Sequence, residues 1–422
     1  MDGHRPGRRP ACRPATLKGW RPPSCWSRAF WAVAALFTVG MAFTTVPTPL
    51  YPIYEDQRGY GPATITLIFA VYPVGVVAAF FWWGHVSDVV GRRRTLVAAL
   101  ALETLSAAAF ALSSALWVLL AARVICGIGV GLLMTTATAY LGELEGRARR
   151  DAPPRVEIVT TAAIMGGFGL GALTAGLLAG TGHQPLRLPF VVFFAALAAA
   201  TAVATRLPET LLVRARRWPA PHPQRLVIAP HTRTTFAAAS ATAFVAFAML
   251  SLVMAFAPTL LADSLRAASP ALAGALACSC ALAAGLGQLG AARLEPARAL
   301  SLGVCALTGG VLATGMGAAL ALLPLFLGGA VVGGVGSGVL TKRALAITGR
   351  IAPAHARAET FAGFYLIVYL NATVPVVALG LLAQNAGTVV AVAAYAGMML
   401  AILAAAVPVV QRATRHTAFK YL

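Results

Sequence analysis

The chain has 422 residues, a mean hydropathy of +0.78 and 59% hydrophobic residues, with only 11% charged. A water-soluble domain is nearer half apolar and about a quarter charged, so the composition excludes one and points to a membrane protein. The net charge of +20 does not indicate nucleic acid, because the basic residues lie in short segments between apolar stretches and no aromatic–basic recognition module accompanies them.

Residues 1–28 are basic and proline-rich. They are long for a signal-peptide n-region, and no A-x-A site follows the apolar run near Ala32–Phe43, so they read as a cytoplasmic tail. A bilayer-crossing helix needs about 20 mostly apolar residues. The sequence predicts twelve, near 29–49, 65–84, 95–114, 117–141, 157–180, 187–206, 235–259, 268–291, 299–320, 322–347, 359–383 and 387–411. The separations near Ser113–Ser114 and Leu322–Pro324 are the least distinct. The longest polar interruption, 211–234, contains RARRWPAPHPQR. It divides a six-span half over 29–210 from another over 235–411, and a short tail follows at 412–422. His222 and His231 in this linker read as solvated loop residues.

Charge orients the chain. With the N-terminus in the cytoplasm, 29 of the 33 Lys and Arg residues fall inside and three (Arg58, Arg187 and Arg266) outside, while Arg123 lies within span four. That asymmetry places both termini in the cytoplasm of a multi-pass protein of the cell membrane. The six cysteines show no metal-ligand spacing and read as small apolar residues.

The halves echo each other. GIGVGLL from Gly127 matches GVGSGVL from Gly334, and at the same offset of 207 Asp88 meets Glu295. Pro47-Thr48 is matched by Pro258-Thr259. Paired six-helix repeats with a site between them are a common transporter plan. Gly127, Gly129 and Gly131, Gly167 and Gly171, Gly176 and Gly180, Gly329 and Gly333, and Gly334 and Gly338 are expected to let helices approach closely, as static packing or as a surface for rocking.

The stretch GHVSDVVGRRRTL, Gly84 to Leu96, sets Asp88 and three arginines between two apolar spans. Gly84 and Gly91 suit a tight turn, and Arg92, Arg93 and Arg94 suit the cytoplasmic surface and lipid phosphate. The stretch resembles the loop between spans two and three of the major facilitator superfamily, G-x-x-x-D-x-x-G-[RK]-[RK], and meets every fixed position. Arg123 with Gly127, Gly129 and Gly131 is similar to that family's span-four motif, and Tyr140–Glu143 and Pro208-Glu209-Thr210 resemble its helix ends.

The resemblance, over about 29–411, implies an all-α fold of twelve membrane helices in two pseudo-symmetric bundles, working by alternating access. It implies that Asp88 contacts the start of span eleven, near Arg357 and Glu359, in one conformation, and Glu143 can share the arginines. It also implies that Arg123 faces the central cavity and that span three is peripheral. Span five, MGGFGLGALTAGLLAG from Met165, lacks the proline that the family's drug–proton antiporters carry there, which leaves direction open.

Charge at the centre of a membrane helix is costly and so marks a partner or a cavity. Counted from the turn near Ser114, Glu103 and Arg123 lie within about one helical turn of the same depth. They form either a fixed ion pair or separate roles, Arg123 in the cavity and Glu103 as a proton site. Thr38, Thr44, Thr45, Thr48 and Tyr51 in span one, Ser240, Thr242 and Ser251 in span seven, and Tyr365, Tyr369 and Asn371 in span eleven predict a mildly polar cavity suited to amphiphilic ligands.

The resulting expectation is a monomeric secondary transporter, a proton-coupled exporter of small organic molecules. The alternatives are an importer or uniporter of a small nutrient, and a non-transporting membrane sensor or scaffold. No ATP-binding motif, catalytic triad or metal set is visible, so no enzyme activity and no cofactor beyond a coupling proton are expected. The expected partners are a small-molecule substrate and the lipid bilayer, with no nucleic acid.

Overall fold

A computed structural model of the chain describes residues 23–148, 155–211, 228, 230–263, 265–353 and 357–418. The tail over 1–22 and most of the linker, His222 included, lie outside the described residues.

The apolar runs fold as helices because a bilayer leaves no other partner for their backbone groups. The first half holds α1 (Pro23–Phe43), α2 (Tyr51–Arg58), α3 (Pro62–Trp83), α4 (Val86–Val90), α5 (Arg92–Leu112), α6 (Leu116–Ala148), α7 (Val156–Gly180) and α8 (Leu188–Ala204). The second holds α9 (Arg233–Ala255), α10 (Ala257–Asp263), α11 (Pro270–Ala291), α12 (Pro296–Ala319), α13 (Leu323–Ile351), α14 (Arg357–Leu370), α15 (Val374–Ala386) and α16 (Thr388–Ala418). Eleven stretches of helix among the described residues are long and apolar enough to cross a membrane, and α8, at 17 residues, is a shorter apolar helix beside them. Trp31, Leu105, Leu112, Trp117 and Val374 stand more than half exposed on the outside of the bundle, as lipid-facing side chains do.

Three predicted spans are broken. Pro47, Pro49 and Pro52 turn the end of span one into a 3-10 turn at Thr48–Leu50 and the separate helix α2. Span seven breaks at Phe256 into α10 in the same way. Span eleven breaks at Asn371–Thr373, ahead of Pro375.

One hydrophobic cluster draws on residues from Ala29 to Leu207, with Tyr369, and a second on residues from Ala238 to Val410, with Met165 and Ala172. The halves meet where α7 packs on α11 and where α3 packs on α14 and α15. Most of the glycines singled out in the sequence pack inside their own halves. Gly127 and Gly131 abut α3, Gly129 abuts α5, Gly167 and Gly171 abut α1, and Gly334 and Gly338 abut α11. Gly176 is an exception: it and Gly274 make a close approach between the halves, where a Cβ would strike the partner helix backbone, and Gly380 makes another against Pro62 and Thr66 of α3. Cys126, Cys278 and Cys280 are buried as expected, whereas Cys305 is exposed.

Candidate functional site

At the loop end, Gly91 has φ +116°, a backbone that favours glycine, and starts α5. Gly84, at φ −56°, is ordinary helical backbone and no tight turn requires it. The centre of the loop is Arg92, only 8% exposed. Its Nε and Nη2 donate to Glu143 Oε1 at 3.0 and 2.9 Å, and its Nη1 reaches Ser87 Oγ and Asp88 Oδ1, each at 2.6 Å. Its backbone N–H donates to Glu209 Oε1 at 3.0 Å, so a carboxylate from the end of span six sits at the positive N-terminus of α5. Arg93 donates to the Leu207 carbonyl at 3.4 Å, and Arg94 is exposed.

Asp88 is thus engaged by Arg92, one turn along. Its expected partner near Arg357 involves a side chain outside the described residues. Glu359 of α14 lines a pocket together with Val77, Phe80 and Phe81 of α3, and α14 packs on α3, which places the start of span eleven beside the loop end of span two. The contributions of Ser87 and Glu209 are not apparent from sequence. The Pro208-Glu209-Thr210 match carries a hint of the second, but not that the carboxylate caps α5.

Arg123 and Glu103 are not an ion pair. Arg123, 1% exposed, donates from Nη1 to the Thr44 carbonyl at 2.9 Å and from Nη2 to the Tyr51 hydroxyl. It stacks 5.8 Å from the centre of the Tyr72 ring. Glu103 is fully buried between Gly40 and Gly129, and neither carboxyl oxygen has a hydrogen-bond partner. Side chains tilt toward the N-terminus of their own helix. On the antiparallel α5 and α6, these two similar depths therefore diverge: Glu103 reaches toward the loop end and Arg123 toward the opposite end. Arg123 does not line the cavity either, because Tyr72 stands between them.

The cavity lies between the halves. One chamber of about 480 Å³, lined by Gly84, Met134, Thr138 and Tyr365 among others, opens at the loop end. It shares walls with a second of about 490 Å³, bounded by Phe168, Phe247, Gln288, Tyr365 and Tyr369. That chamber shares Phe168, Phe247 and Tyr369 with an inner pocket of about 70 Å³, where Thr44, Thr45, Phe69, Tyr72, Ser251 and Asn371 also lie. Thr45 and Asn371 line the inner pocket. Tyr51, Thr38, Thr48, Ser240 and Thr242 do not line these chambers, and Tyr51 is consumed by Arg123. An ion pair between Glu157 of α7 and Lys342 of α13 bridges the halves beside the second chamber.

At the opposite end, α2 of one half meets α10 of the other. Glu55 accepts a hydrogen bond from Thr259, and a separate vestibule of about 560 Å³ is lined by Glu55, Asp56 and Asp263. Burial pushes the Asp263 carboxyl above its ordinary value. The vestibule shares no lining residue with the inner pocket.

Two sets of apolar helices around a cavity at their boundary form a plan that many membrane transporters share. The sequence profile of the Major Facilitator Superfamily matches residues 31–305, and the chain belongs to that family. It is 34% identical over 107 residues to "D-xylose-proton symporter-like 2" of Arabidopsis thaliana, a match covering 25% of this chain and 20% of that protein. It is 25% identical over 171 residues to "Multidrug resistance protein 2" of Bacillus subtilis (strain 168), covering 40% and 41%. The chain thus matches less than half the length of either relative. Its fold is similar to that of a bacterial homologue of the human lysosomal transporter Spinster, at TM-score 0.68 and 16% identity over 94% of this chain and 98% of that one. It is also similar to a mutant form of the nucleoside transporter NupG, at TM-score 0.65 and 12% identity over 90% and 99%.

Proposed function

We propose that the chain exports small amphiphilic organic molecules in exchange for protons, as a monomer in a cell membrane with both termini in the cytoplasm. The carrying observation is the lining of the inner pocket, where Phe69, Phe168, Phe247 and Tyr369 dominate and no charged side chain enters. Such a wall gives a bare sugar or an ion few polar partners and gives an amphiphile a large apolar one. Similarity to a multidrug resistance protein favours the same reading. Glu103, enclosed without a partner, is the group we assign to the coupling proton, since an isolated buried carboxylate is the state an apolar site tolerates least. Asp88, with Arg92 and Glu143, is assigned to conformational gating.

A second reading, proton-coupled import, is favoured by similarity to D-xylose-proton symporter-like proteins. Inverted membrane vesicles separate the two. Export by exchange requires that added substrate dissipate an imposed proton gradient and accumulate only while that gradient lasts. Movement of substrate unaffected by a protonophore would rule out proton coupling in either direction.

A further inference from the structure

Two prolines interrupt the wall of the inner pocket. Pro73 lies inside α3, and Pro375 is the second residue of α15. Neither has an N–H, so the carbonyls of Phe69 and Asn371 each lose the donor that an α-helix supplies four residues on. Phe69 and Asn371 both line the pocket. At Asn371, Ala372 and Thr373 the chain is unwound, and their N–H groups bond to carbonyls three residues back. Irregular backbone at membrane depth is tolerated where it borders a cavity.

Side chains add to this. Asn371 Nδ2 donates to the Val368 carbonyl at 2.7 Å, which fixes the amide orientation. Its Oδ1 is left buried without a partner, and so is the Tyr72 hydroxyl. Buried polar atoms are ordinarily hydrogen-bonded, so each of these marks a place where a bound molecule supplies the missing bond.

In the pocket wall, therefore, the Phe69 and Asn371 carbonyls lack their helical donor and Asn371 Oδ1 and the Tyr72 hydroxyl lack any partner, beside the hydroxyls of Thr44, Thr45 and Ser251 and the aromatic rings. A cationic head would face the Arg123 guanidinium behind Tyr72, and no acidic side chain lines the pocket to offset it. An anionic head would face the acceptors. We infer that the inner pocket reads an uncharged hydrogen-bond donor, O–H or N–H, carried on a flat apolar body. The pocket, about 70 Å³, takes the head, and the adjoining chamber of about 490 Å³ takes the body along Phe168, Phe247 and Tyr369. This rests on the transport reading above and specifies its substrate class.

The test uses three probes of one body: 2-naphthol, its methyl ether 2-methoxynaphthalene, and 2-naphthylmethylamine, a cation at neutral pH. Binding is measured by calorimetry on the full-length protein in lipid nanodiscs, against protein-free nanodiscs. The naphthol should bind at least about tenfold more tightly than the ether, and the amine no more tightly than the ether. Asn371→Leu and, separately, Tyr72→Phe, which keeps the ring, should each shrink that gap to roughly threefold or less. Equal binding of naphthol and ether, preference for the amine, binding of none of the three, or a gap unchanged in both variants would overturn the inference. Vesicle uptake of the same probes tests transport separately. Compounds bound with the expected preference but never moved would sink the transport reading and leave the recognition standing.

Discussion

The Thr259 hydroxyl lies 3.3 and 3.4 Å from the two carboxyl oxygens of Glu55 and ties α10 of one half to α2 of the other. Across from Glu55 stands a second acid, Asp263, and among the described residues neither is in an ion pair. The other ionisable groups on α2 are Asp56 and Arg58, beside Tyr54. Two carboxylates on apposed helices repel when both are charged. Asp263 is pushed above its ordinary value by burial in this closed arrangement, so closure binds its proton more tightly. Closure is therefore favoured as pH falls through that raised value and is weakened as pH rises past it. Spin labels at Gln57 and Ala268 should read a shorter mean separation at about pH 5 than at pH 8. Glu55→Gln, which keeps the Thr259 bond and loses the charge, should shift the population toward closure by roughly two- to fivefold, and Thr259→Val toward opening by a similar amount. A separation insensitive to pH, or a Glu55→Gln protein that opens, would refute this account.

The loop at the other end separates stability from motion. The Asp88 side chain is 62% exposed, so its pair with Arg92 adds little to folding. Arg92 is buried and serves Ser87 and Glu143 as well, and Glu143 is one-third exposed. Asp88→Asn should leave the melting temperature in detergent almost unchanged while slowing transport at least about tenfold, as a gate that no longer switches would. Arg92→Leu should instead destabilise by about 2 kcal/mol, the cost of stranding a partly screened carboxylate. Near-normal transport by Asp88→Asn would remove the gating role.

What is legible in the sequence is what is local. Hydrocarbon thickness is read directly from apolar run length, so the helices are visible there. The family likeness in Gly84–Arg94 leads to the loop where Arg92 and Glu143 meet. The relation of Glu103 to Arg123 is not legible, because depth counted along the chain ignores the direction a side chain takes from its helix. Pro375 is in plain view, yet its effect on Asn371 shows only once the unwound turn is seen beside Phe69 and Tyr72. Likewise the sequence displays the echo of Pro47-Thr48 in Pro258-Thr259, but not that the short helices after each break meet across the halves.

Glu103 provides a test of coupling with little structural penalty. Both carboxyl oxygens lack partners, so Glu103→Gln removes no hydrogen bond and changes the shape little. Expression and melting temperature should hold. Gradient-driven transport should fall to the level of passive exchange, while exchange of labelled for unlabelled substrate, which needs no net proton movement, continues. Retained accumulation against a gradient would mean that the proton is carried elsewhere.

The last prediction concerns two glycines that sit alike in sequence and differ in what they separate. Gly127 packs against the backbone of Tyr72 and Gly75, inside the first half. Gly176 packs against Pro270 and Gly274, across the boundary between halves. Overpacking a tight helix crossing typically costs about 1–3 kcal/mol. Within a half the strain has no outlet, so Gly127→Val should lower the melting temperature and the yield of folded protein together. Between halves it can be relieved by separation, because α7 and α11 must part for the cavity to open at the Gly176 end. Gly176→Val should therefore fold with a smaller loss of stability, abolish net transport and lengthen the Gln57–Ala268 label separation. If Gly127→Val instead transported normally, or Gly176→Val left that separation unchanged, the boundary between moving bodies would have to be redrawn.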